Sequence, residues 1–372
     1  MKLYPRLKPI VLLILITGAL NSDAVGQQIT PEGFVDVDGQ QATTDFGPIA
    51  NVSEILIGDP FFDTFASGRL TVSEGASLSA DRVGLGGDQA AGVFEARGFG
   101  TSVVISQRIE LFSGSFSVAD GATANVSSLS NFTAVAPTIN VSGVGSQLLL
   151  GSGALDQGTI NISDAGTFRA GTLNGAAARI NLTDGGQAVI NILGIDFAAI
   201  SRNEVSIGDT SSLVVMSNFT IGGNSTVTLE GGLLIGFNGI NINQSGDLVG
   251  YGDVIGEIQL DGFQQGDNRL TVTAGETLRT SSISNSTGQI TNFGTLDAGN
   301  NTIGNGFNGR YLGENSTIRA GLLINEGTFN LTDGRNFVEA NLENRGGLNV
   351  SGGASVIFTG QIFNTRVVHT AA

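Results

Sequence analysis

Few residues in this chain can do chemistry. There is no Cys, Lys occurs only as Lys2 and Lys8, and the single His is His369. That inventory removes thiol nucleophiles, Schiff bases, Ser-His-Asp arrangements and His-centred metal sites. What remains is carboxylate and Arg chemistry, the kind with which polysaccharide hydrolases and lyases work, and it needs several acids to converge on one face. Asp36 and Asp38 lie two apart and share a face if the segment is a strand, while Asp164, Asp184 and Asp333 take one recurring position ahead of Gly or Ala. An acidic residue followed by Gly suits a tight bend, because Asp bonds its own backbone and Gly reaches positive φ freely. The aspartates therefore read as bend residues. A row of such turn carboxylates is also a candidate Ca²⁺ site, but neither Gly86-Gly87-Asp88 nor Gly304-Asn305-Gly306 carries the glycine-rich nonapeptide calcium repeat. Gly143-Val144-Gly145 has no Lys or helix behind it, so it reads as a turn and not a phosphate loop. No catalytic, cofactor-binding or metal-ligating residue is assigned.

The elements that would position these groups come from one recurring phrase. An apolar residue, a polar one, an apolar one, then Ser, Thr or Ala lead to an acidic or small residue and Gly. It begins at Leu70, Phe116, Ile160, Ile180, Val227, Leu270, Phe329 and Leu348, at separations of 46, 44, 20, 47, 43, 59 and 19 residues. These are close to 2, 2, 1, 2, 2, 3 and 1 units, or 278 residues in 13 units of about 21. A second phrase starts at Ile290, Ile324 and Leu342, and its Asn residues, Asn292, Asn325 and Asn344, are 33 and then 19 apart. The alternation inside each phrase has the period of a strand with one buried face. No later segment sustains a helical period, and Asp196 to Arg202 holds one helical turn at most.

A strand that returns in phase every 21 residues or so stacks in parallel on its predecessor, with two or three short strands per coil. The expected fold is all-β: a parallel, right-handed β-helix or solenoid, on the order of 65 Å long for some 14 coils. Most of the 21 Phe are expected inside it. Propeller blades fit spacings of 43 to 47 but not those of 19 and 20, and Trp is absent. An antiparallel sandwich would show hairpin turns every 8 to 12 residues or so.

Residues 1–24 read as a signal peptide: Lys2, Arg6 and Lys8 precede an apolar run from Ile10 to Ile16, and Ser22-Asp23-Ala24 offers small residues for cleavage. The run is too short to span a bilayer comfortably. Cleavage after Ala24 leaves 14 basic and 32 acidic residues, a net charge of −18. Such a chain is a poor partner for nucleic acid or anionic membranes, and no membrane insertion of the mature chain is expected. Residues 25–66 show no clear copy of the phrase and hold Pro31, Pro48 and Pro60, so they read as an N-terminal cap. Residues 67–372 form the repeat domain, which stops in mid-unit: Asn364 follows Asn344 by 20, but Arg366 stands where the phrase has Gly. A truncated product is one expectation.

Pro137 to Ser146, with Ile139-Asn140-Val141-Ser142-Gly143-Val144-Gly145-Ser146, and then Gly158-Thr159-Ile160-Asn161-Ile162-Ser163-Asp164-Ala165-Gly166-Thr167 resemble the repeat associated with bacterial type V secretion (autotransporter-like) and PEP-CTERM proteins. The close match covers residues 139 to 168, with looser echoes from 68 to 360. Gln147-Leu148-Leu149 departs from it, where the family has an aromatic, and neither a Pro-Glu-Pro sorting tail nor a translocator barrel is visible. The resemblance implies an exported protein at the cell surface, associated with the outer membrane or extracellular, with no catalytic residues to carry over. The resulting reading is a structural or adhesive β-solenoid without enzymatic activity, whose partner is a surface or matrix polysaccharide or protein. The alternatives are a β-helical polysaccharide-degrading enzyme and a non-functional truncated product.

Overall fold

In a computed structural model the described residues are 34–37, 41–44, 50–57, 67–73, 75–87, 91–131, 136–195, 202–262, 268–365 and 368–370. The signal-peptide and Asp196–Ser201 readings lie outside them. Strands and turns make up the described chain, with no helix among those residues. Each strand pairs in parallel with the strand one coil before and one coil after it, so that Ile139 is registered with Phe116 on one side and Ile160 on the other. The result is a β-solenoid with three strand faces per coil.

On the first face, one register position runs Leu70, Phe94, Phe116, Ile139, Ile160, Ile180, Val205, Val227, Leu248, Leu270, Ile290, Tyr311, Phe329, Leu348. These 14 rungs are 13 steps, and the long gaps between copies of the phrase are filled by coils that depart from it: Phe94, Ile139, Val205, Leu248, Ile290 and Tyr311. The second phrase is different. Ile290 lies on this first face, whereas Ile324 and Leu342 belong to strands of the third face, Thr317–Asn325 and Arg335–Asn344. Its 33-residue step joins two different corners, which is why it is no multiple of the coil.

Alternate side chains point inward and stack on their equivalents one coil away, giving a single continuous core. Phe94 stacks on Phe116 with ring centroids 5.1 Å apart, and Tyr311 on Phe329 at 4.3 Å and 6°. The Phe expectation is corrected, however. Among the described side chains Phe94, Phe116, Phe168, Phe219 and Phe329 are buried, but Phe99, Phe237, Phe307 and Phe363 are exposed, three of them at turn tips. Ile, Leu and Val fill most of the core, since their volume matches the narrow interior and their branching suits strands.

Parallel pairing also runs back into the segment read as a cap. Phe34–Val37 pairs with 54–57, Gln41–Thr44 with 69–72, and 50–52 with 78–80. The coil from Ala42 to Leu70 is 28 residues long, and that length hides its period from the sequence.

Candidate functional site

The turn aspartates sit at the corner between the first and second faces. Asp164, Asp184 and Asp333 have φ of 51°, 50° and 49°, and Asp120 matches them at 55°. Gly121, Gly185 and Gly334 follow at 87°, 80° and 62°. Two successive left-handed residues make a turn that only Gly, Asn and Asp enter cheaply. Around Asp184 it closes with the Gly186 N–H donating to the Thr183 carbonyl at 2.8 Å. Gly143-Val144-Gly145 forms the same corner one coil before Asp164, with Val144 as its exposed tip.

Asp164 and Asp184 occupy neighbouring coils, and the Ala165 N–H donates to the Asp184 carbonyl at 3.0 Å. Asp209 and Glu230 continue the row on the next two coils, where Gly208 pairs with Glu230. Asp209 was not legible in the sequence because the coil at Val205 lacks the acidic-Gly ending, whereas Glu230 ends the copy of the phrase that begins at Val227. Asp333 is five coils beyond Glu230. A Cβ at Gly231 would meet Asp209 Oδ1 at 3.3 Å and the Tyr251 ring at 3.5 Å, so an aromatic edge borders the row. The acids stand one per coil, about 4.8 Å apart along the axis, and form a ridge of fixed negative charge. No group of three acidic, His or Cys side chains able to hold a metal occurs among the described residues.

Carboxylates and arginines converge at a different place, on the third face near the N-terminal end. Arg82 Nη2 donates to Glu110 at 3.1 Å, Arg82 Nη1 lies 3.5 Å from Glu54, and Arg108 Nε reaches Glu110 at 2.7 Å. Glu110 is buried, and two guanidiniums satisfy it, which is what a charge needs in such surroundings. Bulges between Ala80 and Arg82 and between Ile105 and Ile109 bring these residues together. Sequence spacing carries no signal for them. Asp36 lies in the strand Phe34–Val37, registered with Leu56, and Asp38 is outside the described residues. His369 lies in the strand Val368–Thr370, registered with Asn349.

The first face presents a polar ladder. Its central outward position runs from Ser117 through Asn140, Asn161, Asn181, Ser206 and Thr228 and resumes as Thr271 and Thr291, then Asn330 and Asn349, with Val249 and Leu312 as its apolar rungs. Asn161 Nδ2 donates to Asn140 Oδ1 at 3.0 Å, and Asn181 Nδ2 to Asn161 Oδ1 at 2.9 Å. Along the edge of this face Asp247 is half-buried, with Oδ1 unbonded. Burial holds its carboxyl above the usual range, against the opposing pull of Arg269. One cavity of about 10 Å³ lies inside the coils at Leu155, Ile160, Leu173 and Val205. It is apolar and no larger than a water molecule.

No protein-family model, no curated protein and no solved structure matches this chain. No helix of the described residues is long and apolar enough to cross a membrane.

Proposed function

We propose that the protein is an exported structural or adhesive β-solenoid of the cell surface or extracellular space. The observation that carries this reading is the outward ladder of the first face, which places an amide or hydroxyl group on ten of the twelve coils from Ser117 to Asn349. One such group binds little, because water competes for each hydrogen bond. Ten in one register position bind as a unit, since each later contact forms at high effective concentration. A surface or matrix polysaccharide, rich in hydroxyls and itself periodic, is the partner whose chemistry fits. The basic, apolar and small-residue order of residues 1–24 and the resemblance of residues 139 to 168 to autotransporter-like repeats support export.

The test is retention of the mature full chain on immobilised polysaccharides and matrix proteins, beside N-terminal sequencing of the protein recovered from surface and medium fractions. The expected results are an N-terminus at Val25 and binding that falls more than additively in an Asn140→Ala, Asn161→Ala, Asn181→Ala triple variant. Retention unchanged in that variant would refute the ladder as the binding surface. Release of reducing ends from a bound glycan would replace adhesion by hydrolysis.

A further inference from the structure

The second face has an apolar patch that the fold does not require. Val189, Val214, Ile235 and Ile255 occupy one outward register position on four successive coils. Leu233 lies beside Ile235 in the same strand, and Met216 and Phe237 follow at the next corner, bonded to Ile190 and Val215 one coil back. Ile255 is 51% exposed, Phe237 62% and Met216 43%. The inward side chains of these strands, Ile190, Val215, Leu234 and Val254 among them, already fill the core. Elsewhere this register position alternates, with Ser79, Asn125 and Arg169 separated by single apolar rungs at Val104 and Leu149, so an outward polar residue serves the strand equally well. Only from Val189 to Ile255 do apolar rungs follow one another on successive coils of this position, and a contiguous apolar ladder marks a contact surface.

We infer that this patch docks a second copy of the same chain, with the two rods antiparallel and a two-fold axis through Ile235. A flat sheet face cannot enclose a small molecule, but it packs on another flat face about 10 Å away. The two-fold, lying along the strand direction, sets Ile235 on its symmetry mate, Leu233 and Phe237 each on its own counterpart, and Val214 on Ile255 of the second copy. The charges choose the orientation. Arg169 lies three coils before Ile235, and Asp297 lies three coils after the Leu233 of that same strand. Antiparallel docking brings each Arg169 beside the opposite Asp297, twice by symmetry, whereas parallel docking sets Arg169 on Arg169. Arg169 forms no ion pair with the described residues of its own chain. Seven coils of one face bury about 900 Å² in total, which is the range of a weak, reversible dimer.

Sedimentation equilibrium of the full mature chain over a wide concentration range tests the inference independently of the adhesive reading. The expected result is a reversible dimer that Ile235→Asp abolishes while the thermal midpoint and far-UV spectrum stay unchanged, since the site is outward. Arg169→Asp and Asp297→Arg each weaken the dimer by about tenfold, and the double charge swap restores it. A monomer at every concentration overturns the inference. So does a dimer indifferent to Ile235→Asp, and a double swap no tighter than the single variants shows the orientation to be wrong.

Discussion

Two asparagine ladders run along this solenoid, and they do different work. One lies at the corner between the third and first faces, where Asn285, Asn305, Asn325 and Asn344 are each at most 1% exposed. Their amides bond in series at 3.0, 2.8 and 2.7 Å, and a further 2.7 Å bond reaches Asn364. The second hydrogen of the first three amides goes to a backbone carbonyl: Asn285 to Arg310, Asn305 to Thr328 and Asn325 to Gly347. The other ladder, Asn140, Asn161 and Asn181, makes bonds of nearly equal length on the open first face. Geometry is thus held constant while solvent access changes. The buried ladder cannot fall back on water, so its bonds set the coil register, whereas the outer one leaves its amides able to exchange neighbours for a ligand.

The sharpest break of this comparison is Asn305→Ala. It strands an amide hydrogen of Asn285 and the Oδ1 of Asn325 in a dry interior, and the expected loss is about 3 kcal/mol in urea unfolding. Because coils depend on their neighbours, amide exchange should accelerate first in the flanking strands Thr277–Asn285 and Thr317–Asn325. Tyr311→Phe is the next largest. The buried phenol accepts from Asn292 Nδ2 at 3.0 Å, and that amide keeps its second bond to the Thr317 carbonyl at 2.9 Å. The hydroxyl also bonds to Ser316, so both contacts are lost while the stack on Phe329 is preserved, and about 2 kcal/mol is expected. Asn161→Ala on the outer ladder should cost about 0.5 kcal/mol or less, since water takes up the freed groups of Asn140 and Asn181. An outer cost equal to the inner one would show that burial is not what separates the ladders.

The sequence made the outer ladder easier to see than the inner one. Thr-Ile-Asn-Ile-Ser alternates visibly, and the turn after it carries Asp with Gly or Ala, so strand, face and corner are all legible in one phrase. The separations between copies even count the coils that depart from it. The inner ladder follows a strand of another face, and its spacing of 20, 20, 19 and 20 residues shows a period without showing that the amides point inward. An Asn reads as exposed until its partners one coil away are known. The Glu54–Arg82–Glu110–Arg108 network was invisible for a related reason, since bulges shift its register. In the patch around Ile235 apolar residues fall on both sides of the strand, and such a run reads as a fully buried strand.

Asp247 stands between the two regimes and sharpens the comparison with pH. It is outward on the first face like Asn161, yet half-buried, with its Oδ1 unbonded. Desolvation raises its folded-state pKa, and Arg269 only partly offsets that. A carboxyl whose pKa is raised by folding contributes stability while protonated, below the unfolded value near 3.8, and loses it as pH rises through the folded value. At neutral pH its charge therefore works against the fold. Asp247→Asn should raise the urea midpoint at pH 7, and the gain should shrink to nothing as the pH falls through the carboxylate range. A variant less stable than the parent at pH 7 would mean that the attraction of Arg269 outweighs desolvation, placing Asp247 with the exposed ladder and not between the two.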